Sequence, residues 1–85
     1  HGADLYYATL SGTNLTEANL TGANLKDVDL TGAVLIGAVL TGANLRDVDL
    51  TGAVLNGAVL TGANLTGAIF CGTTTQDGAM DNSGC

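Results

Sequence analysis

Large apolar residues recur along this chain with a period of five. Leucine fills every fifth position from Leu5 to Leu65, thirteen times without a gap, and Phe70 takes the next slot. Two residues before each stands a small or branched residue, as at Ala3, Ala8, Thr13, Ala18, Val28 and Ala68. Neither regular element explains this. Steps of five along an α-helix turn the azimuth by about 140° and scatter the leucines around every side. In a flat strand side chains alternate faces, so an odd step sends successive leucines to opposite sides. The spacing works if each pentad is a short extended piece followed by a turn, with every leucine facing a common axis.

A longer repeat sets the size of the turn. Lys26–Leu45 and Arg46–Leu65 differ at only two positions, Lys26 against Arg46 and Ile36 against Asn56. Twenty residues therefore return the chain to the same azimuth, so that four pentads complete a coil and each bends the backbone by about 90°. The expected coil is a square, and stacked coils about 4.8 Å apart pair through parallel backbone hydrogen bonds. Within each short strand the leucine and the residue two before it point inward, and the residue between them points outward. Both differing positions fall just after a leucine, at outward sites. A flexible glycine-rich linker has no reason to keep a large residue in such strict register.

Glycine stands two residues after the leucine at most corners, Gly32 and Gly52 among them, which is the slot where a type II turn needs φ > 0. Tyr7, Glu17, Asp27 and Asp47 occupy that slot instead, and a different turn type is expected at those four corners. The segments "ADL", "ANL" and "AIF" resemble the A(D/N)LXX motif of pentapeptide repeat proteins, over residues 3 to 72. The resemblance implies an all-β fold, a right-handed quadrilateral parallel β-helix. The handedness comes from the resemblance, because spacing does not distinguish the two hands. About three and a half coils are expected over residues 1–72, followed by a turn-rich capping segment over 73–85. Val34, Val39, Val54 and Val59 depart from the motif where Asp or Asn is usual.

Eight acids against two bases give a net charge of −6. Nucleic acid and acidic membrane surfaces, which attract basic patches, are poor partners for such a chain. No apolar run approaches the roughly 20 residues of a membrane-spanning helix, and no membrane insertion is expected. The chain enters its repeat at Ala3 with no leader, which suits a processed or trimmed form.

A solenoid needs caps at both ends. At the C-terminus "CGTTTQDGAMDNSGC" loses the register and reads as a cap bracketed by Cys71 and Cys85. A disulfide closing this loop is worth about 3 kcal/mol on the chain-entropy model; two free thiols in a reducing cytosol are the alternative. The tail also resembles the cysteine-bracketed ends of family members from cyanobacteria and the thylakoid lumen, which implies an oxidising compartment, a periplasm or a thylakoid lumen. At the N-terminus no cap is visible. The first coil exposes its leucines, is covered by Tyr6 and Tyr7, or docks on another molecule.

Outward residues twenty apart stack into columns. Val34 over Val54, Val39 over Val59, and Ile36 at the corner between them form a candidate interface, because contiguous exposed apolar surface marks binding sites. Asp27, Asp29, Asp47 and Asp49 make an acidic column beside Lys26 and Arg46. It reads as a solvated ladder, since straight columns do not wrap a calcium ion in six to eight oxygens. Asn24, Asn44 and Asn64 are expected to bond to one another along the stack. Threonine columns resemble ice-binding arrays but sit at turns beside glycine. No cofactor or metal site is expected, and no nucleophile stands with a base, so no enzyme activity is expected either. The sequence therefore points to a noncatalytic protein-binding or structural scaffold, with weak self-association through the N-terminal coil or the valine face. The alternative, implied by the resemblance, is a mimic of duplex DNA that inhibits or protects gyrase, a type II topoisomerase. Net acidity favours it, while three and a half coils span only about 17 Å at strand spacing, about half of one DNA turn of roughly 34 Å.

Overall fold

A computed structural model of the chain describes residues 10–84. The expectations for Tyr6, Tyr7 and Cys85 lie outside the described residues. From Leu10 onward the backbone winds as a four-sided parallel solenoid with a twenty-residue coil. Leu15 N–H donates to Val34 O at 2.6 Å, Val34 N–H to Thr13 O at 2.9 Å, and Leu35 N–H to Val54 O at 2.7 Å. Each side is too short to be more than a single-residue bridge, because a pentad spends most of its length turning.

The bridges define four walls in chain order. The first wall stacks Asn14, Val34, Val54 and Thr74; the second Asn19, Val39 and Val59; the third Asn24, Asn44 and Asn64; the fourth Asp29, Asp49 and Ile69. Leucines from Leu20 to Leu55 are buried in one column, with Ala23, Val28, Ala33, Ala38, Ala43, Val48, Ala53 and Ala58 filling the space between them. Leu10, Leu15, Leu60, Leu65 and Phe70 pack on this core only in part, being nearer its ends.

The described corners from Leu10 to Leu65 all use the same device. The leucine carbonyl accepts the N–H three residues on, as Leu35 O does from Ala38 at 3.0 Å, and the residue between them in the third slot has φ near +70°. This corrects the expectation of a second turn type at the corners without glycine. Glu17, Asp27 and Asp47 adopt φ of 60°, 61° and 58°, in the same left-handed region as the glycines. The neighbouring coil imposes it, for their N–H groups donate to Ile36 O, Arg46 O and Thr66 O at 2.7, 3.0 and 3.0 Å. The ladder outweighs a steric cost of about 1–2 kcal/mol per residue.

The solenoid pattern runs past residue 72. Thr74 bridges to Val54, and Gly57 N–H donates to Gln76 O at 2.9 Å. Strand β1, Thr73–Thr74, then pairs antiparallel with β2, Met80–Asp81, around a turn in which Thr75 N–H donates to Ala79 O at 2.8 Å. The return covers the upper edge of one region only. Gly72 N–H donates to Asn82 Oδ1 at 2.7 Å, and Gly84 N–H to Phe70 O at 2.8 Å. Thr73 is buried and gives its hydroxyl to Leu50 O at 2.6 Å. Among the described residues no further rung lies over Val59 or Asn64. Cys71, at the corner below this return, is not a free thiol.

The position of the leucines predicts their energetics. Leu35→Ala or Leu45→Ala should lose about 2–5 kcal/mol in urea unfolding, the cost of an unfilled core cavity, whereas Leu65→Ala should lose less than half as much. Glu17→Gly should instead raise stability by about 0.5–1 kcal/mol, because relief of left-handed strain exceeds the added freedom of the unfolded chain.

Candidate functional site: two valine walls

The residue before each leucine does a local job at most corners. Its side-chain oxygen accepts the N–H two residues on: Thr16 N–H to Asn14 at 3.1 Å, Lys26 to Asn24 at 3.2 Å, Arg46 to Asn44 at 3.2 Å, Thr51 to Asp49 at 3.0 Å and Thr66 to Asn64 at 3.0 Å. Where a threonine follows, its hydroxyl commonly donates to the same oxygen, as Thr16 to Asn14 at 2.6 Å and Thr51 to Asp49 at 2.6 Å. This is the turn chemistry for which Asn, Asp and Thr are suited. It corrects the expected asparagine ladder: Asn24, Asn44 and Asn64 each bond within their own corner and not to one another. The backbone donor two residues on lies in the same turn, within hydrogen-bond reach of each side-chain oxygen.

Val34, Val39, Val54 and Val59 occupy that same slot and carry no acceptor. The N–H groups of Ile36, Thr41, Asn56 and Thr61 therefore lack the side-chain partner that the other corners supply. A hydrogen bond of this kind contributes about 0.5–1.5 kcal/mol, so each valine forgoes a stabilising contact. In return the first and second walls become apolar. Val34, Val39 and Val54 are half-buried, and Ile36 and Val59 are exposed at 43% and 40%. Ile36 sits at the corner joining the two walls, so the five candidate interface residues lie on two adjacent walls and the corner between them.

Two exposed apolar residues escaped the sequence reading. Ile69, 40% exposed, stands above Asp49 on the fourth wall, and Met80, 62% exposed, lies opposite Thr74 in the terminal hairpin. Ile69 was legible, because "AIF" places it in the same slot as the valines. Met80 was not, because it falls where the period of five has ended.

The charges gather at the diagonally opposite corner, where the third wall meets the fourth. Lys26 Nζ pairs with Asp27 Oδ2 at 2.7 Å, and Arg46 and Asp47 repeat the sequence one coil on. The Asp47 carboxylate lies over Gly67, in space that a Cβ there would need. Asp29 and Asp49 follow on the fourth wall. Two acids flank the valine corner: Glu17 lies under Gly37, and Asp77 follows Gln76, whose carbonyl accepts the Gly57 N–H at the top of the same corner. No group of three or more metal-ligating side chains converges among the described residues.

Hydrogen bonds also set the titration of three acids. The hydroxyl and then the N–H of Thr31 hold Asp29 below the usual carboxylate range; the Thr75 hydroxyl and then the Ala79 N–H do so for Asp77; and the Ser83 N–H and then its hydroxyl do so for Asp81. A carboxyl whose folded pKa is depressed stabilises the fold above its unfolded value, near 3.9, and that contribution is lost as pH falls through the folded value. Carboxyl NMR titration should therefore give midpoints below about 3.9 for Asp29, Asp77 and Asp81. Thr31→Val should move only the Asp29 midpoint upward.

The chain has matches among known proteins that share this geometry. The family model for pentapeptide repeats matches in eight copies over residues 1–35 and 38–74. Among solved structures the chain is similar to HetL, a pentapeptide repeat protein involved in heterocyst differentiation regulation from the cyanobacterium Nostoc sp. strain PCC 7120. That likeness has a TM-score of 0.72 and 40% identity, covering 95% of this chain and 40% of HetL. It is similar to Rfr23, a pentapeptide repeat protein from the cyanobacterium Cyanothece 51142, with a TM-score of 0.58 and 39% identity over 78% of this chain and 52% of that one. QnrB1, a plasmid-mediated fluoroquinolone resistance protein, matches with a TM-score of 0.55 and 24% identity over 76% of this chain and 35% of QnrB1, a likeness of fold alone. The chain thus spans about half or less of each of these proteins. No curated protein matches it in sequence.

Proposed function

The chain belongs to the pentapeptide repeat family, whose members form right-handed quadrilateral β-helices, and on that premise we propose that it is a noncatalytic scaffold whose valine walls dock a protein partner. The interface is Val34, Ile36, Val39, Val54 and Val59 on a helix of about three and a half coils. The terminal return is closed by a Cys71–Cys85 disulfide in an oxidising compartment, a periplasm or a thylakoid lumen. That Cys71 is not a free thiol supports this setting.

One observation carries the reading. At four slots on two adjacent walls, two successive ones in each of two coils, valine replaces the residue type that satisfies its own corner. Stability alone favours Asn or Asp there, so the apolar surface itself is the feature that the chain keeps. Continuous apolar surface rimmed by polar groups is what an interface requires.

A second reading, mimicry of duplex DNA toward gyrase, draws on the net charge of −6 and on the fold likeness to QnrB1. The placement of charge weighs against it. Lys26 and Arg46 interleave with the acids at the charged corner, and the bridged rungs of the first and second walls carry no acid, whereas a duplex is anionic on every side.

The joint substitution Val39→Asn and Val59→Asn separates fold from function. It restores the corner acceptors, so urea stability should stay within about 1 kcal/mol of the original, while partner capture by the immobilised protein from its native extract should fall at least tenfold. Undiminished capture sinks the proposal. Protection or inhibition of gyrase supercoiling at micromolar protein would favour the second reading instead.

A further inference from the structure

Two walls of the solenoid end without a cover. After Gln76 the chain turns back over residues 70–74 instead of crossing the second and third walls again, so Val59 and Asn64 carry no rung above them among the described residues. One coil lower, Leu40, Gly42, Leu45 and Asp47 give their N–H groups to the coil above at 2.7 to 3.0 Å. Their equivalents at the top, Leu60, Gly62, Leu65 and Gly67, find no acceptor among the described residues, and the carbonyls of Ala58 and Ala63 find no donor. The core is uncovered at the same place. Leu60, Ala63 and Leu65 are half-buried, whereas Leu40, Ala43 and Leu45 in the same columns are buried. Unpaired backbone groups beside uncovered apolar side chains are a template for one more strand.

The rungs beneath specify what that strand must carry. Residues 39–46, VLTGANLR, cross the second and third walls one coil below the opening. A segment of this pattern laid on top in parallel register offers a carbonyl to each of the N–H groups of Leu60, Gly62, Leu65 and Gly67. Its own N–H groups reach Ala58 O and Ala63 O, and its two leucines close the column over Leu60 and Leu65.

Charge sets the sign of the segment. The slot after the second leucine holds Lys26 and Arg46 in the lower coils, and Lys26 pairs with Asp27 at 2.7 Å. At the top that slot holds Thr66. The Asp47 carboxylate reaches over Gly67 and has no hydrogen bond or ion pair among the described residues. A base in the matching slot of an added strand stands beside it. The net charge of −6 draws a basic segment to this edge and opposes a second copy of the chain.

We propose that this open end binds an extended, basic segment of a protein partner by strand addition over the second and third walls. The inference rests on the reading of the chain as a protein-docking scaffold. It places a further contact beside Val59, where the valine surface reaches the open edge.

Amide exchange of the whole chain, followed by NMR, tests it with an acetylated and amidated synthetic peptide, VLTGANLR, as the probe. At millimolar peptide the N–H groups of Leu60, Gly62, Leu65 and Gly67 should exchange at least tenfold more slowly. Those of Ile36 and Asn56, at the valine corner, should not change. A peptide with asparagine in place of both leucines should protect none of them. Glutamate in place of its arginine should weaken binding at least threefold at low salt. The peptide changes leave the fold of the protein untouched. Absence of protection, equal protection by the asparagine peptide, or protection confined to Ile36 and Asn56 would each overturn the inference. Protection of the four upper amides that grows with protein concentration alone would assign the opening to a second copy and overturn it as well. If the peptide fails while partner capture still depends on Val39 and Val59, this inference falls and the broader reading stands.

Discussion

The hydrogen bond between one coil and the next is the constraint on which everything else in this molecule depends. Each inward leucine from Leu10 to Leu55 sends its N–H to a carbonyl nineteen residues ahead, as Leu20 does to Val39 O at 2.7 Å and Leu40 to Val59 O at 2.7 Å. Burial of leucine supplies much of the driving force, but it is non-directional and would accept many arrangements. The ladder admits one register. It aligns the leucines into a column, stacks the outward residues into walls, and dictates backbone angles at the corners even where the residue type resists them. Glu17, Asp27 and Asp47 show how far this goes, since each is held left-handed by a carbonyl nineteen residues away rather than by its own preference.

Much of this was legible in the sequence, and what was missed has a common cause. The inward column, the square coil and the outward positions follow from spacing alone, because spacing is a statement about geometry repeated many times. The corners at Glu17, Asp27 and Asp47 were misread by treating φ as a local property, when the adjoining coil decides it. The asparagines were misread in the opposite sense. Stacking suggested a partner one coil away, but Asn44 Oδ1 finds the Arg46 N–H within its own turn at 3.2 Å. Ladder bonds override local preference in the backbone, whereas short polar side chains take the nearest donor. The hairpin after Thr74 carries no period, so neither the pairing of Thr74 with Met80 nor the exposure of Met80 could be inferred.

The walls illustrate how a solenoid divides its tasks. Inward residues and the backbone hold the fold, which leaves the slot before each leucine free to vary at modest cost. On the third wall it is filled by residues that tie down their own corners. On the first and second it is filled largely by valine, which ties down nothing and offers apolar surface. Ile69 brings the same character to the top of the fourth wall, in isolation. The distribution of side chains around the four sides is thus where this chain departs from its repeat, and where its individual character resides.

The twenty-residue stacking offset also governs how such a chain can change length. Gain or loss of a whole coil preserves every wall, since each residue beyond the change returns to its former side one storey higher or lower. Gain or loss of a single pentad rotates everything downstream by a quarter revolution. Valines that shared a side with Val34 would then stand on the neighbouring one, and the acidic column would be cut in two. The leucine core would scarcely register the event. In this architecture an insertion that folding tolerates can still dismantle a surface, so the unit of inheritance for the exterior is four times that of the interior.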